Sequence, residues 1–235
     1  MISLFFFYLF LGIVENYIFR EALIQSDLRI INLLQIFRTP NFSRFMLIVT
    51  SLGNVQIIIV GVLLIGLWSA YTQKWHYLMA TIISVAGSAI VVLVVKLLFH
   101  RPRPSLANSV IQATGYSFPS DHSFIAFALY GLLTYFLLKQ IRSTPARIAV
   151  FILGVLVVFL IGFSRLYLGV HWPSDVLAGY TFGLAWITIL IKPFRSDSDF
   201  FPCTSFSLIL IKRSRFSLLI LITPVMSIRV KSFKW

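Results

Sequence analysis

The side chains of this sequence best suited to chemistry fall in three short stretches: Lys96 with Arg103-Pro104, then Pro119-Ser120-Asp121-His122, then Ser164-Arg165 with His171 and Asp175. All three border strongly apolar segments. Charge is expensive beside hydrocarbon, so a cluster of charges there marks a functional site. The guanidinium groups of Arg103 and Arg165 match phosphate oxygens as planar forks, and the ammonium of Lys96 acts as a point charge. Such a set can neutralise a phosphoryl group in transfer and hold it in line. His171 precedes Asp175 by four residues, so the carboxylate can reach back to one imidazole nitrogen and leave the other as nucleophile or base. These residue types point to holding a phosphate and transferring it to an imidazole.

Each residue alone has a plainer role. A Lys or Arg at a helix end more often snorkels to the interface, and that is the expectation for Arg101, with His100 beside it. Ser120 after Pro119 reads as a helix N-cap. The free N–H groups that follow it also favour an anion. His122 at this helix start could protonate a leaving alkoxide. Pro173 suits the first position of the next helix, which places Asp175 in its first turn. There Asp175 could simply complement the helix dipole, but with His171 in reach the catalytic role is favoured.

These residues must be positioned by membrane elements. Of 235 residues, 59% are hydrophobic and 11% charged, against about 25% charged in soluble domains. The apolar residues form six blocks, approximately 2–19, 55–71, 77–98, 124–138, 148–163 and 176–191, each near the ~20 residues a spanning helix needs. The fourth extends back to Ser120. The fold class expected is all-α, a polytopic membrane helical bundle of about six transmembrane helices. Tyr17, Trp68, Tyr71, Trp75, Tyr77 and Trp172 at block ends fit an interfacial aromatic belt. The first block reads as a retained membrane segment, since no small-residue cleavage site follows it. Residues 20–47 read either as an amphipathic interfacial helix or as a connecting loop. The domain expected is 1–192, with its motif core at 96–175. The basic, Ser- and Phe-rich tail 193–235 has no assigned role. One cysteine, Cys203, excludes an internal disulfide framework.

The formal net charge of +13 is read as topology signal and attraction to anionic headgroups. Nucleic-acid binding is rejected, because the cations flank membrane segments and form no soluble basic face. With six spans, Lys74, the 139–147 loop and the cations from Lys192 onward share one side with both termini. They outnumber the cations opposite, so the termini are expected in the cytoplasm. All three chemical stretches then fall together on the non-cytoplasmic face.

The pattern resembles the type 2 phosphatidic acid phosphatase family, whose signature has three parts. Lys96 with Arg103-Pro104 matches the first. Pro119-Ser120-Asp121-His122 matches Pro-Ser-Gly-His except at its third position. Ser164-Arg165, His171 and Asp175 match the third in full. The resemblance implies a metal-independent reaction without a cofactor. His171 would attack phosphorus and form a phosphohistidine, Asp175 would orient it, and His122 would serve as acid and then base. Lys96, Arg103, Ser120 and Arg165 would bind phosphate, with the backbone N–H groups of Asp121 and His122. The implied substrate is a phospholipid or polyprenyl phosphate: phosphatidic acid, phosphatidylglycerol phosphate or undecaprenyl pyrophosphate. The implied location is a bacterial cytoplasmic membrane. Asp121 departs from the pattern by adding a negative charge, and its side chain is expected to turn toward Arg101 or solvent. Asp-containing versions among bacterial members that act on polyprenyl pyrophosphates favour that substrate modestly. The alternatives are an inactive lipid-phosphate binding protein and, ranked lower, a vanadate-dependent haloperoxidase, a class similar at the same residues but soluble.

Overall fold

The computed structural model describes residues 2–19, 21–104 and 109–191, with residues 2, 16–19, 21 and 22 described by their backbone alone. The tail 193–235 lies outside the described residues, as does the side chain of Tyr17. Every regular element among the described residues is helical. In chain order they are α1 (Ile2–Phe19), α2 (Glu21–Ile36), α3 (Pro40–Ser51), α4 (Val55–Thr72), α5 (Trp75–Phe99), α6 (Asp121–Gln140), α7 (Thr144–Tyr167) and α8 (Pro173–Leu190). Helices α4 to α7 are long and apolar enough to cross a membrane, and α1 contains a shorter apolar stretch, Ser3–Glu15. The six expected blocks correspond to α1 and α4–α8. Among the described residues α8 falls just short of a full apolar span because it opens on the polar turn Pro173-Ser174-Asp175.

The stretch expected as an interfacial helix or a loop is helical over 21–36 and again from Pro40, but not as one helix. Pro40 lacks an N–H and disfavours the helical conformation at Thr39, so the chain breaks there. Thr39 caps α3, its side chain accepting from the Phe42 N–H. The break is tied to the end of α7: Arg38 Nε donates to the Tyr167 carbonyl at 2.8 Å, and the Thr39 N–H to the Tyr167 hydroxyl at 3.1 Å.

The bundle packs through small residues, which let membrane helices approach closely. Thr81, Ser84 and Ser88 of α5 are buried. Ser84 Oγ donates to the Ala128 carbonyl of α6 at 2.8 Å, and Trp186 Nε1 of α8 donates to the Ser84 carbonyl at 3.1 Å. This junction sits at a π turn in α6, Phe127–Gly131, a local widening often found near functional sites. Phe10 of α1 stacks on Phe182 of α8 at 4.5 Å, and Phe182 stacks on Phe124 at 4.9 Å. The outer faces of α4 and α7 keep Leu63, Leu67, Ile152, Leu153 and Phe159 exposed, as surfaces bathed in hydrocarbon must be.

The C-terminal ends of α5 and α7 and the N-terminal ends of α6 and α8 meet at one end of the bundle. Gly179 sets how closely α8 approaches the start of α6. A Cβ there would lie 2.7 Å from Ser123 Cβ and 2.8 Å from the Ser120 carbonyl oxygen, which is backbone and cannot swing away. Gly179→Ala is therefore expected to lower stability by about 1–3 kcal/mol, as overpacking does. Thermal unfolding of the detergent-purified variant beside wild type measures this.

Candidate active site

Asp175 anchors the cluster. It lies in the first turn of α8 and is completely buried. Its Oδ2 accepts the Trp172 N–H at 2.9 Å, closing the first turn. The same oxygen accepts the Ser117 hydroxyl and stands 3.5 Å from His171 Nδ1. Its Oδ1 takes Arg101 at 2.5 Å. The short turn after α7 passes through Gly169, whose φ of +77° is costly for any residue with a Cβ, and carries His171 back beneath the other helix ends.

His171 is itself fully buried. Arg103 contacts His171 Nε2 at 3.2 Å while also donating to the Val170 carbonyl at 2.8 Å. Arginine has no acceptor, so this contact favours the lone pair on Nε2 and the proton on Nδ1, facing Asp175, whereas the Asp121 carboxylate 3.4 Å from Nε2 acts in the opposite sense. Arg103 is locked by further bonds to the Thr114 and Gly115 carbonyls. Burial pushes its guanidinium below the usual arginine value, and Asp121 and Asp175 act in the opposite sense.

Ser120 caps α6, accepting from the Ser123 N–H, and its own N–H donates to the Asp175 carbonyl at 3.1 Å. His122 Nε2 lies 3.3 Å from Asn54 Oδ1, and its ring fits only because residue 53 is glycine: a Cβ there would lie 2.5 Å from His122 Cδ2. Arg165 lies on the last turns of α7 rather than in the loop after it; it is buried and donates to Thr50 Oγ1 at 2.9 Å. Its Nε has no hydrogen-bond partner among the described residues. Lys96 Nζ stands 3.4 Å from Asp121 Oδ2. The cations, both imidazoles and both carboxylates therefore converge on one volume. Among the described residues, no group of three or more His, Cys, Asp or Glu side chains is placed to hold a metal ion.

Two expectations require correction. Arg101 does not snorkel: it is 3% exposed and bridges Asp27 of α2, at 2.7 Å, to Asp175. His100 beside it does stay exposed. Asp121 turns neither to Arg101 nor simply to solvent. Its carboxylate faces Lys96 and lies 3.5 Å from His122 Nδ1 and 3.4 Å from His171 Nε2, drawn by the positive charge there.

Sequence reasoning missed Asp27, Ser117 and Ser174. Asp27 is 2% exposed; it accepts the Ser174 N–H at 3.0 Å, the Ser174 hydroxyl at 2.5 Å and Arg101. The available signal was weak, a single Asp among the polar residues of an amphipathic stretch. Trp172 completes this side, its ring under the Arg101 guanidinium at 5.5 Å and its Nε1–H donating to the Pro102 carbonyl.

A family model described as PAP2 superfamily matches residues 77–197. The chain is 32% identical over 196 residues to phosphatidylglycerophosphatase B of Bacillus subtilis, covering 82% of this chain and 93% of that protein. It is 31% identical over 137 residues to the undecaprenyl-diphosphatase BcrC of the same organism, covering 55% of this chain and 65% of that one. The crystal structure of a transmembrane PAP2 type phosphatidylglycerolphosphate phosphatase from Bacillus subtilis superposes with a TM-score of 0.77 at 27% identity. That match covers 85% of this chain and 98% of the other.

The Asp27–Arg101–Asp175 bridge makes a specific demand. Arg101→Ala strands two buried carboxylates and is expected to cost roughly 3–5 kcal/mol, the range for breaking a buried ion pair. Unfolding measurements in detergent, with the exposed Arg142→Ala as a control that should change little, check the value.

Proposed function

The chain belongs to the PAP2 superfamily and is a lipid-phosphate phosphatase; from that premise we propose that it works through a phosphohistidine formed on His171. The observation that carries the reading is the two-sided placement of the His171 ring. Nδ1 faces the buried Asp175, and Nε2 faces Arg103 and Asp121, whose carboxylate in turn contacts Lys96 and His122.

In the first step the Nε2 lone pair attacks phosphorus, an N–P bond forms and the P–O bond to the lipid breaks. The leaving oxygen takes a proton from His122. Asp175 stabilises the positive imidazole that results. In the second step His122 removes a proton from water, the water oxygen bonds phosphorus, and the N–P bond breaks to release phosphate and neutral His171. Lys96, Arg103 and Arg165 balance the charge on the phosphoryl oxygens throughout. Ser120 and the N–H groups of Asp121 and His122 at the start of α6 supply further donors.

The substrate class follows from the surroundings. An apolar cavity of about 460 Å³ between α4 and α6, lined by residues such as Gly61, Leu64, Leu129 and Leu133, starts about one turn beyond Asn54 and two beyond His122. It suits a hydrocarbon tail whose phosphate reaches His171. Phosphatidylglycerol phosphate and undecaprenyl pyrophosphate are the leading candidates, supported by the activities named for the two Bacillus subtilis relatives. The excess of Lys and Arg on the side of the termini supports a site on the non-cytoplasmic face.

The test is phosphate release by purified protein in detergent with EDTA, on phosphatidic acid, phosphatidylglycerol phosphate and a polyprenyl pyrophosphate. Wild type is expected to release phosphate from at least one of them, undiminished by EDTA. His171→Ala should lose turnover altogether, and Asp175→Asn should fall roughly a hundredfold or more. Substantial turnover by His171→Ala would exclude the phosphohistidine.

A further inference from the structure

Two carboxylates flank His171, and they are held very differently. Asp175 is fully buried and bonded at 2.5–2.9 Å to Arg101 and the Trp172 N–H. Asp121 is about one-third exposed at its side chain. Its contacts to Lys96, His122 and His171 lie at 3.4–3.5 Å, the range of ion pairs rather than of good hydrogen bonds. Its Oδ1 is buried yet has no hydrogen-bond partner among the described residues. Asp121 is thus drawn in by charge and anchored by little else, with a path to solvent.

The position matters more than the looseness. Oδ1 stands 3.4 Å from His171 Nε2, the nitrogen proposed to attack phosphorus, and Oδ2 stands 3.4 Å from Lys96 Nζ. A planar anion with two oxygens lies between the nucleophile and a cation, where two phosphoryl oxygens would have to lie. Arg103 and Arg165 also feel its charge. The carboxylate and a phosphoryl group cannot share this volume, sterically or electrostatically.

We propose that Asp121 is a built-in competitor of phosphate: its carboxylate occupies the phosphoryl position against His171 and Lys96, and substrate must displace it outward. This rests on the reading of the cluster as the phosphate site. It makes Asp121 a determinant of affinity. Exchange of one anion for another lowers the net gain on binding, for substrate and equally for the phosphate product, so product leaves a strongly cationic pocket readily. The displacement is a rotation of the side chain at the first residue of α6, which leaves the α6 backbone and Ser120 in place.

The experiment uses the full-length protein in detergent and inorganic phosphate as the probe, with affinity read from the phosphate concentration dependence of thermal stabilisation. Asp121→Asn keeps the shape and removes the charge; Asp121→Gly removes both. Each is expected to bind phosphate about tenfold more tightly than wild type, the scale of one lost charge–charge opposition. Phosphate should also inhibit turnover at correspondingly lower concentration, with KM falling for the lipid substrate. Equal or weaker phosphate affinity in both variants overturns the proposal, even if the lipid phosphatase reading stands. Thermal stabilisation needs no turnover. Tighter phosphate binding by the variants would therefore support the competitor even if no lipid in the panel released phosphate, whereas that failure would count against the proposed reaction alone.

Discussion

A carboxylate with no access to water must find all of its donors in the protein, and Asp175 is such a carboxylate. Its donors come from separate stretches of chain: Arg101 beyond α5, Ser117 before α6 and the Trp172 N–H at the head of α8. Arg101 in turn is buried and needs a second anion, which Asp27 provides from α2. The helix α2 is therefore an electrostatic part of the site as well as an amphipathic segment. Meeting the requirements of one buried charge ties together most elements at this end of the bundle, and His171 takes its orientation from the result.

Around His171 Nε2 the balance runs the other way. Lys96, Arg103 and Arg165 exceed the negative charge that Asp121 supplies, and Arg165 Nε is left buried without a hydrogen bond among the described residues. Unsatisfied donors and concentrated positive charge are costly in a folded protein. Their concentration at one point is physically consistent with a site built for a multiply charged anion. Stability is given up here, and the tightly bonded network behind Asp175 supports it from the other side.

The apolar part of the molecule serves the same end. Small buried side chains on α5, and glycines on α8, allow backbones to approach closely where hydrophobic exclusion of water is no driving force. The π turn in α6 places Ala128 against Ser84 while keeping Asp121 and His122 at the helix start. The apolar cavity beside α6 is lined by α4 and the same helix that carries His122 at its start.

The local sequence by itself determined the helical membrane character, the three stretches of charged and polar residues, the cap at Ser120 and the reach of Asp175 back to His171. Each of these depends on hydropathy or on neighbours within a turn, and such information is local. At α8 the apolar pattern is interrupted by its polar opening, Pro173-Ser174-Asp175. Only the tertiary structure decided that Arg101 is an internal bridge, that Asp27 is its partner and that Asp121 points inward at His171. Asp27 and Arg101 are 74 residues apart, and no periodicity links them. Their pairing follows from how α2 lies across the head of α8. A cation beside a membrane helix looks the same in sequence whether it snorkels outward or is drawn in by a buried carboxylate. The difference lies in the field of charges assembled from distant segments, which exists only once the chain has folded.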